Sequence, residues 1–121
     1  MNNNHKKIVI ADDNYELCDV LRTIFESENY EVEFVHDGFS LISYLKETQD
    51  VDAIILDLIM PRKGGLSIFE TIRSIAPASK LIIYTGYPDY KHSVFDREAD
   101  AFVDKTQGAE RLLEVLKELL D

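Results

Sequence analysis

The sequence has one cysteine, no tryptophan and no long apolar run. A single thiol, Cys18, excludes an internal disulfide and suits a reducing compartment. Its place in a helical pattern predicts a small, partly buried apolar residue. No stretch approaches the roughly 20 apolar residues that span a bilayer, and the apolar part of the N-terminal segment is too short for a signal peptide. The sequence therefore predicts a cytoplasmic protein without membrane contact.

Positive charge is also scarce. The chain has 13 lysines and arginines against 23 aspartates and glutamates, which gives a formal net charge of −10. Nucleic acids and anionic membranes are polyanions, so this balance argues against direct binding to either. The length of 121 residues fits one domain. We place that domain at residues 7–121, after a flexible N-terminal tail at residues 1–6.

Short β-branched runs alternate with helical patterns along the whole chain. The runs predict five strands, at residues 7–11, 30–35, 53–56, 80–85 and 101–104. Apolar residues at three- and four-residue spacing predict helices around residues 17–25, 41–45, 66–75 and 112–120, and Pro88 supports a less regular one at residues 88–99. Alternation of this kind is typical of a parallel sheet with helical crossovers.

The second run, YEVEFV, differs from the first, third and fourth, which are almost continuously apolar. Glu31 and Glu33 fall on one face of this strand, a pattern that indicates an edge strand, whereas continuous apolar runs indicate central strands. An edge position for the second strand favours the order 2-1-3-4-5. The predicted fold class is therefore α/β: a doubly wound five-stranded parallel sheet in a flavodoxin-like three-layer sandwich.

Acidic residues follow two of the central strands where each strand ends. Asp12 and Asp13 follow the first strand and Asp57 follows the third. In the predicted order these strands are neighbours, about 4.8 Å apart, and ligands bind such sheets at the carboxyl ends where the strand order reverses. Carboxylates brought this close repel each other unless a cation intervenes. Because Mg²⁺ prefers oxygen ligands, the three aspartates predict a Mg²⁺ site.

Each of these polar residues also has a simpler interpretation. The segment ADDN fits a helix N-terminus with Asp13 or Asn14 as the cap. Thr85 fits a turn, and Lys105 fits a solvated surface charge. All of them nevertheless lie at, or just after, the carboxyl end of a predicted strand and so share one edge of the sheet. A carboxylate beside a metal ion, a hydroxyl and an ammonium can receive a phosphoryl group, with Asp57 as the nucleophile.

With these residues in this order, the chain resembles the receiver domain of two-component response regulators. The resemblance runs from KIVIADDN through IILDLIMPRKGGL and LIIYTG to AFVDKT, which is essentially the whole chain. It implies that Asp57 accepts a phosphoryl group from the phosphohistidine of a sensor histidine kinase or of a phosphotransfer protein. It also implies a signalling switch that catalyses only its own phosphorylation and dephosphorylation, and not an enzyme with a separate substrate.

The same resemblance implies the ligands of the metal. Asp13, Asp57 and the main-chain carbonyl of Ile59 would bind Mg²⁺, and Asp12 would act mostly through water. Lys105 would pair with the phosphoryl oxygens.

The resemblance also implies a switch. Thr85 would turn its hydroxyl to the phosphoryl group on activation, and Phe102 would swing inward at the aromatic switch position. This movement would change the face formed by the fourth helix, the fifth strand and the fifth helix. A protein target of unknown identity would bind there, and the same face would support a weak dimer of an otherwise monomeric domain.

Other functions fit the residues less well. A metal-dependent aspartyl phosphatase of the haloacid dehalogenase class needs a second acidic residue two positions after the nucleophile, where this chain has Ile59. A flavodoxin-like electron carrier needs a Ser/Thr-rich phosphate loop after the first strand, where ADDNYE would repel phosphate. No G-x-G-x-x-G follows a strand, which argues against a dinucleotide fold. A receiver that signals without phosphate is disfavoured, because the residues needed for phosphorylation are all present: the acidic pair, the strand-terminal aspartate, the threonine and the lysine.

The three histidines, His5, His36 and His92, are far apart and predict neither a metal site nor a phosphorelay.

The sequence leaves open whether the chain is a stand-alone receiver or a fragment of a longer regulator or hybrid kinase. A longer protein could bind DNA although this domain would not.

Overall fold

The computed structural model describes residues 5–60, 65–86 and 99–121. Its five strands are β1 (Lys7–Ala11), β2 (Glu31–Val35), β3 (Ala53–Leu56), β4 (Lys80–Thr85) and β5 (Ala101–Asp104). Its helices are α1 (Tyr15–Ser27), α2 (Gly38–Glu47), α3 (Gly65–Ile75) and a C-terminal helix (Ala109–Leu120), which follows a 3₁₀ turn at Lys105–Gln107. The fourth predicted helix, at residues 88–99, lies almost wholly outside the described residues.

The strands form one parallel sheet in the order β2-β1-β3-β4-β5, as predicted. All four residues of β3 are buried, because the strand has neighbours on both sides and helices on both faces. In β2, Glu31 and Glu33 are exposed and Val32 and Val35 are buried. The alternation in YEVEFV therefore identified the edge strand correctly.

Two apolar layers enclose the sheet. One face packs against α2 and α3 through side chains that include Val9, Ile54, Leu56, Leu81 and Ile83. The other face packs against α1 and the C-terminal helix through side chains that include Ile8, Ile10, Ile55, Ile82 and Val103. The predicted three-layer α/β sandwich is confirmed. Within the described ranges, no helix is both long and apolar enough for a membrane span.

The register of the strands sets the position of the polar residues. Ala11 of β1 lies opposite Leu56 of β3, so the residues that follow them, Asp12 and Asp57, leave the sheet at the same level. Thr85, the last residue of β4, lies opposite Asp104 of β5, and Lys105 comes next. Because the strands are parallel, all of these residues meet at the carboxyl edge of the sheet.

A group of polar contacts joins β4 to β5 at the opposite edge. Asp100 Oδ2 accepts hydrogen bonds from the main-chain N–H of Leu81 at 2.7 Å and from Arg73 Nη2 at 3.0 Å. Arg73 Nη1 also donates to the carbonyl of Ser79 at 2.9 Å, which connects α3 to the start of β4. Burial raises the pKa of Asp100, but the hydrogen bonds from Leu81 and Arg73 outweigh that effect, so the net pKa is lowered.

We expect Asp100→Asn to lower the free energy of unfolding at neutral pH by about 1 kcal/mol, a modest loss because the carboxylate is partly exposed. A carboxyl whose pKa is lowered by folding stabilises the protein above its unfolded pKa, about 4, and loses that contribution as the pH falls through the folded value. The difference between wild type and variant should therefore shrink in acid. Urea unfolding at a series of pH values measures it, and a constant difference would contradict this assignment.

Candidate functional site

Asp57 directly follows β3, and hydrogen bonds fix both its main chain and its carboxylate. Its main-chain N–H donates to the carbonyl of Ala11 at 3.0 Å, which continues the β1–β3 ladder past the last strand residue. The residue is only 5% exposed. Oδ1 accepts from the N–H of Ile59 at 3.1 Å and from Thr85 Oγ1 at 3.0 Å, and Oδ2 accepts from Lys105 Nζ at 3.0 Å. Its carboxylate therefore has a fixed orientation.

Asp12 occupies the equivalent position at the end of β1. Its N–H donates to the carbonyl of Val35 at 3.0 Å. Oδ1 accepts from the N–H of Asn14 at 2.9 Å, and Oδ2 lies 2.8 Å from Lys105 Nζ. Burial raises the pKa of Asp12, and the hydrogen bonds from Lys105 and Asn14 offset that rise only in part.

Lys105 supplies a cation between the two buried carboxylates. Its ammonium contacts Asp12 Oδ2 and Asp57 Oδ2 and lies 6.0 Å from the centroid of the Tyr84 ring. Burial lowers the pKa of Lys105, but the hydrogen bonds to Asp12 and Asp57 outweigh burial, so the net pKa is raised and the side chain stays charged. The sequence predicted Mg²⁺ as the cation that relieves the repulsion among the aspartates; in this structure the ammonium of Lys105 contacts two of them.

Asp13 completes a cluster of three carboxylates. One ligand oxygen from each of Asp12, Asp13 and Asp57 lies within 4.8 Å of the other two. Asp12 and Asp57 are buried, whereas Asp13 is exposed, so the cluster opens to solvent on one side. An all-oxygen donor set with an open side fits Mg²⁺, which keeps several of its waters. The predicted convergence of these three residues is confirmed, and their chemistry fits the ion.

The helix-cap interpretation of ADDN is also correct for one residue. Asn14 is the N-cap of α1, and its side-chain oxygen accepts from the N–H of Leu17 at 3.1 Å. Asp12 and Asp13 are then free of the capping role. The same short segment therefore starts a helix and contributes two acids to the cluster.

The family model of the response regulator receiver domain matches residues 8–117. The chain belongs to this family. Curated relatives include Response regulator MprA from Mycobacterium avium and from Mycobacterium tuberculosis, each 28% identical over 116 residues. Each alignment covers 94% of this chain and 50% of the relative. The receiver domain thus spans half the length of these curated relatives.

Solved structures of receiver proteins share the fold. Response regulator TrrA from Thermotoga maritima, crystallised in complex with Mg²⁺-BeF, has a TM-score of 0.87 and 29% identity, over 95% of this chain and 99% of that one. A CheY-like receiver domain protein from Methanospirillum hungatei has a TM-score of 0.89 and 31% identity, over 98% of this chain and 95% of that one. The chain is therefore a receiver domain of response regulator signalling.

The two residues expected to switch lie on β4 and β5 of the receiver domain. Thr85 is fully buried and its hydroxyl already contacts Asp57. Phe102 is half-buried, lies opposite Ile83 and packs against the apolar layer beneath α2 and α3. The two side chains thus lie on adjacent strands near the same edge of the sheet. The fourth helix of the expected switch face lies outside the described residues.

The turn that carries Lys105 was not anticipated from the sequence. Asp104 Oδ1 accepts from the N–H and the hydroxyl of Thr106, both at 2.9 Å, and the N–H of Asp104 donates to Gln107 Oε1 at 2.9 Å. These reciprocal bonds form a capping box. The signal was present as an aspartate followed three residues later by glutamine. The box anchors the main chain on both sides of Lys105 and so helps to fix the position of its ammonium.

Two further residues lie against Asp12. Cys18 is buried, and burial raises the pKa of its thiol to about 11, which agrees with the apolar role predicted for it. His36, to which sequence reasoning gave no role, contacts the main-chain carbonyl of Asp12 at 2.9 Å. Its spacing from the acidic pair along the chain gave no signal, because strand pairing brings the two segments together.

Proposed function

We propose that this receiver domain takes up a phosphoryl group on Asp57, with the phosphohistidine of a sensor histidine kinase or a phosphotransfer protein as donor. The main support is the convergence of a buried, oriented carboxylate with the ammonium of Lys105, the hydroxyl of Thr85 and two further acids. A solvated surface aspartate would have none of these contacts.

The transfer is a displacement at phosphorus. An oxygen of Asp57 attacks the phosphorus atom while the bond from phosphorus to the imidazole nitrogen breaks. The imidazole nitrogen leaves with that electron pair, and a proton taken up from solvent makes the product neutral histidine. The Ile59 N–H and the Thr85 hydroxyl hold the carboxylate on its strand end, and Lys105 faces the position of the incoming oxygens.

Asp13, Asp57 and the main-chain carbonyl of Ile59 are the proposed ligands of Mg²⁺, with Asp12 acting mostly through water. Held by these residues, Mg²⁺ would neutralise charge on the phosphoryl oxygens. The Mg²⁺-BeF complex of the Thermotoga relative supports the choice of ion. The apposition of Asp12 and Asp57 supports it as well, because Lys105 supplies one positive charge against three carboxylates.

The output is a protein–protein signal. When Thr85 turns towards the phosphoryl group, it leaves its present bond to Asp57, and Phe102 moves further into the sheet edge. The resulting change of surface near β5 is read by a protein target, and the domain acts as a switch with no separate substrate. The proposed domain comprises residues 7–121 and lies in the cytoplasm. It is a monomer or a weak dimer, and it occurs either alone or as part of a longer regulator.

Acetyl phosphate tests this function without the kinase. Intact-mass measurement should find one added phosphoryl group per chain when Mg²⁺ is present and almost none when the metal is chelated. Peptide mapping after borohydride reduction of the acyl phosphate should place the modification at Asp57. An adduct that forms equally well without metal, or at another residue, would contradict the proposed site.

A further inference from the structure

His36 connects the two ends of the segment that carries the acidic pair. It follows β2 directly, and its Nδ1 lies 2.9 Å from the main-chain oxygen of Asp12. A carbonyl oxygen only accepts hydrogen bonds, so Nδ1 carries a proton and donates. The imidazole ring also stacks on Tyr15, with 3.9 Å between ring centroids and 14° between planes. Along the chain, Asp13 lies between the two residues that His36 contacts, Asp12 and Tyr15.

The contacts around Asp12 show what the histidine adds. The N–H of Asp12 donates to Val35, the last residue of β2, and so fixes one side of the residue to the sheet. Its carbonyl lies past the last paired residues of the ladder and is held by His36, together with a long contact of 3.8 Å from Cys18 Sγ. The peptide from Asp12 to Asp13 starts at this carbonyl, so its orientation sets where the main chain places Asp13.

Tyr15 holds the other end of the segment. It is the first residue of α1, follows the cap Asn14 and is 65% exposed, and its ring stacks on the imidazole ring. Through this stack His36 joins the end of β2 to the start of α1 across Asp13. In metal proteins generally, removing a side chain that orients a metal ligand without binding the metal itself weakens metal affinity by about 10–100-fold.

We propose that His36 is a positioning residue of the metal centre: its Nδ1–H bond to Asp12 and its stack on Tyr15 hold residues 12–15 in the arrangement that directs Asp12 and Asp13 towards the ion. This inference rests on the proposed Mg²⁺ site. It gives a role to the histidine that the sequence left without one, and it makes Mg²⁺ affinity depend on a residue that is not a ligand.

Calorimetric titration with Mg²⁺ tests the inference on two variants of the histidine. His36→Leu removes the donor and should weaken Mg²⁺ binding about 10-fold. His36→Asn places an amide N–H two bonds beyond Cβ, where Nδ1 stands in histidine, and should stay within about 3-fold of wild type. A general loss of packing would affect both variants equally. Equal weakening in both, or wild-type affinity in His36→Leu, would overturn the proposal.

Tyr15→Ala provides a test that does not depend on a change in the half-buried histidine. It removes an exposed ring, keeps the hydrogen bond, and should weaken Mg²⁺ binding by about 2–3-fold; unchanged binding would overturn the role of the stack. The outcome for the wild type separates the two proposals. If wild type binds no Mg²⁺, the metal site itself is wrong, whereas wild-type binding with unaffected variants contradicts only the role of His36.

Discussion

Asp57→Asn should abolish phosphorylation by acetyl phosphate and leave the fold intact. The amide oxygen of asparagine can still accept from the Ile59 N–H and the Thr85 hydroxyl, which now hold Oδ1. An amide is a far poorer nucleophile than a carboxylate, so no acyl phosphate forms. The amide nitrogen would face the ammonium of Lys105, which keeps its contact with Asp12. Intact-mass measurement should therefore find no added phosphoryl group, and circular dichroism should match wild type.

Asp50→Asn is the matched control. Asp50 is exposed, precedes β3 at the edge of the sheet opposite Asp57, and has a positive φ of 64°, a conformation that asparagine tolerates well. The chemical change is the same, and phosphorylation should proceed as in wild type. Continued incorporation in Asp57→Asn at the wild-type rate would show that another residue is the phosphoacceptor.

Lys105→Met should lower the free energy of unfolding by about 3 kcal/mol in metal-free buffer, because removing the partly buried ammonium leaves two buried carboxylates uncompensated. The ammonium contacts the carboxylates of Asp12 and Asp57, whose side chains are 2% and 7% exposed. Without it, Asp12 and Asp57 repel each other across the site. Millimolar Mg²⁺ should restore much of the loss, since ligand binding to the folded state stabilises it. Urea unfolding with and without Mg²⁺ measures both effects.

Lys117→Met makes the same substitution in an ion pair on the surface. Lys117 contacts Glu28 at 2.7 Å, with side chains 44% and 38% exposed. Solvent already screens this pair, so its removal should change stability little, and Mg²⁺ should have the same effect as on wild type. If Lys105→Met unfolds at the wild-type urea concentration without metal, the ammonium does not hold the carboxylates together.

The sheet was predictable because buried strands and the edge strand have different patterns of apolar and charged residues. Apolar runs of four to six residues marked the buried strands, and Glu31 and Glu33 marked the edge, from which the strand order followed. The helix limits were less exact. The apolar stripe at residues 41–45 gave only the centre of α2, whereas Asp37 caps its start by accepting from the N–H of Ser40 at 2.8 Å.

The acidic cluster was also predictable, because parallel strands of known order deliver their next residues to one edge. The contacts within it were not. Lys105 was expected to face the phosphoryl oxygens, and nothing in the sequence indicated that it would bridge Asp12 and Asp57. The role of His36 was equally hidden, since it depends on hydrogen-bond geometry between neighbouring strand ends and not on spacing along the chain.

A crystal structure of this chain grown in millimolar Mg²⁺ tests the central claim most directly, because it reports whether the strand-end acids share a metal. We predict an octahedral ion at about 2.1 Å from oxygens of Asp13 and Asp57 and from the carbonyl of Ile59. Well-defined density with these side chains turned apart and only water between them would contradict the account.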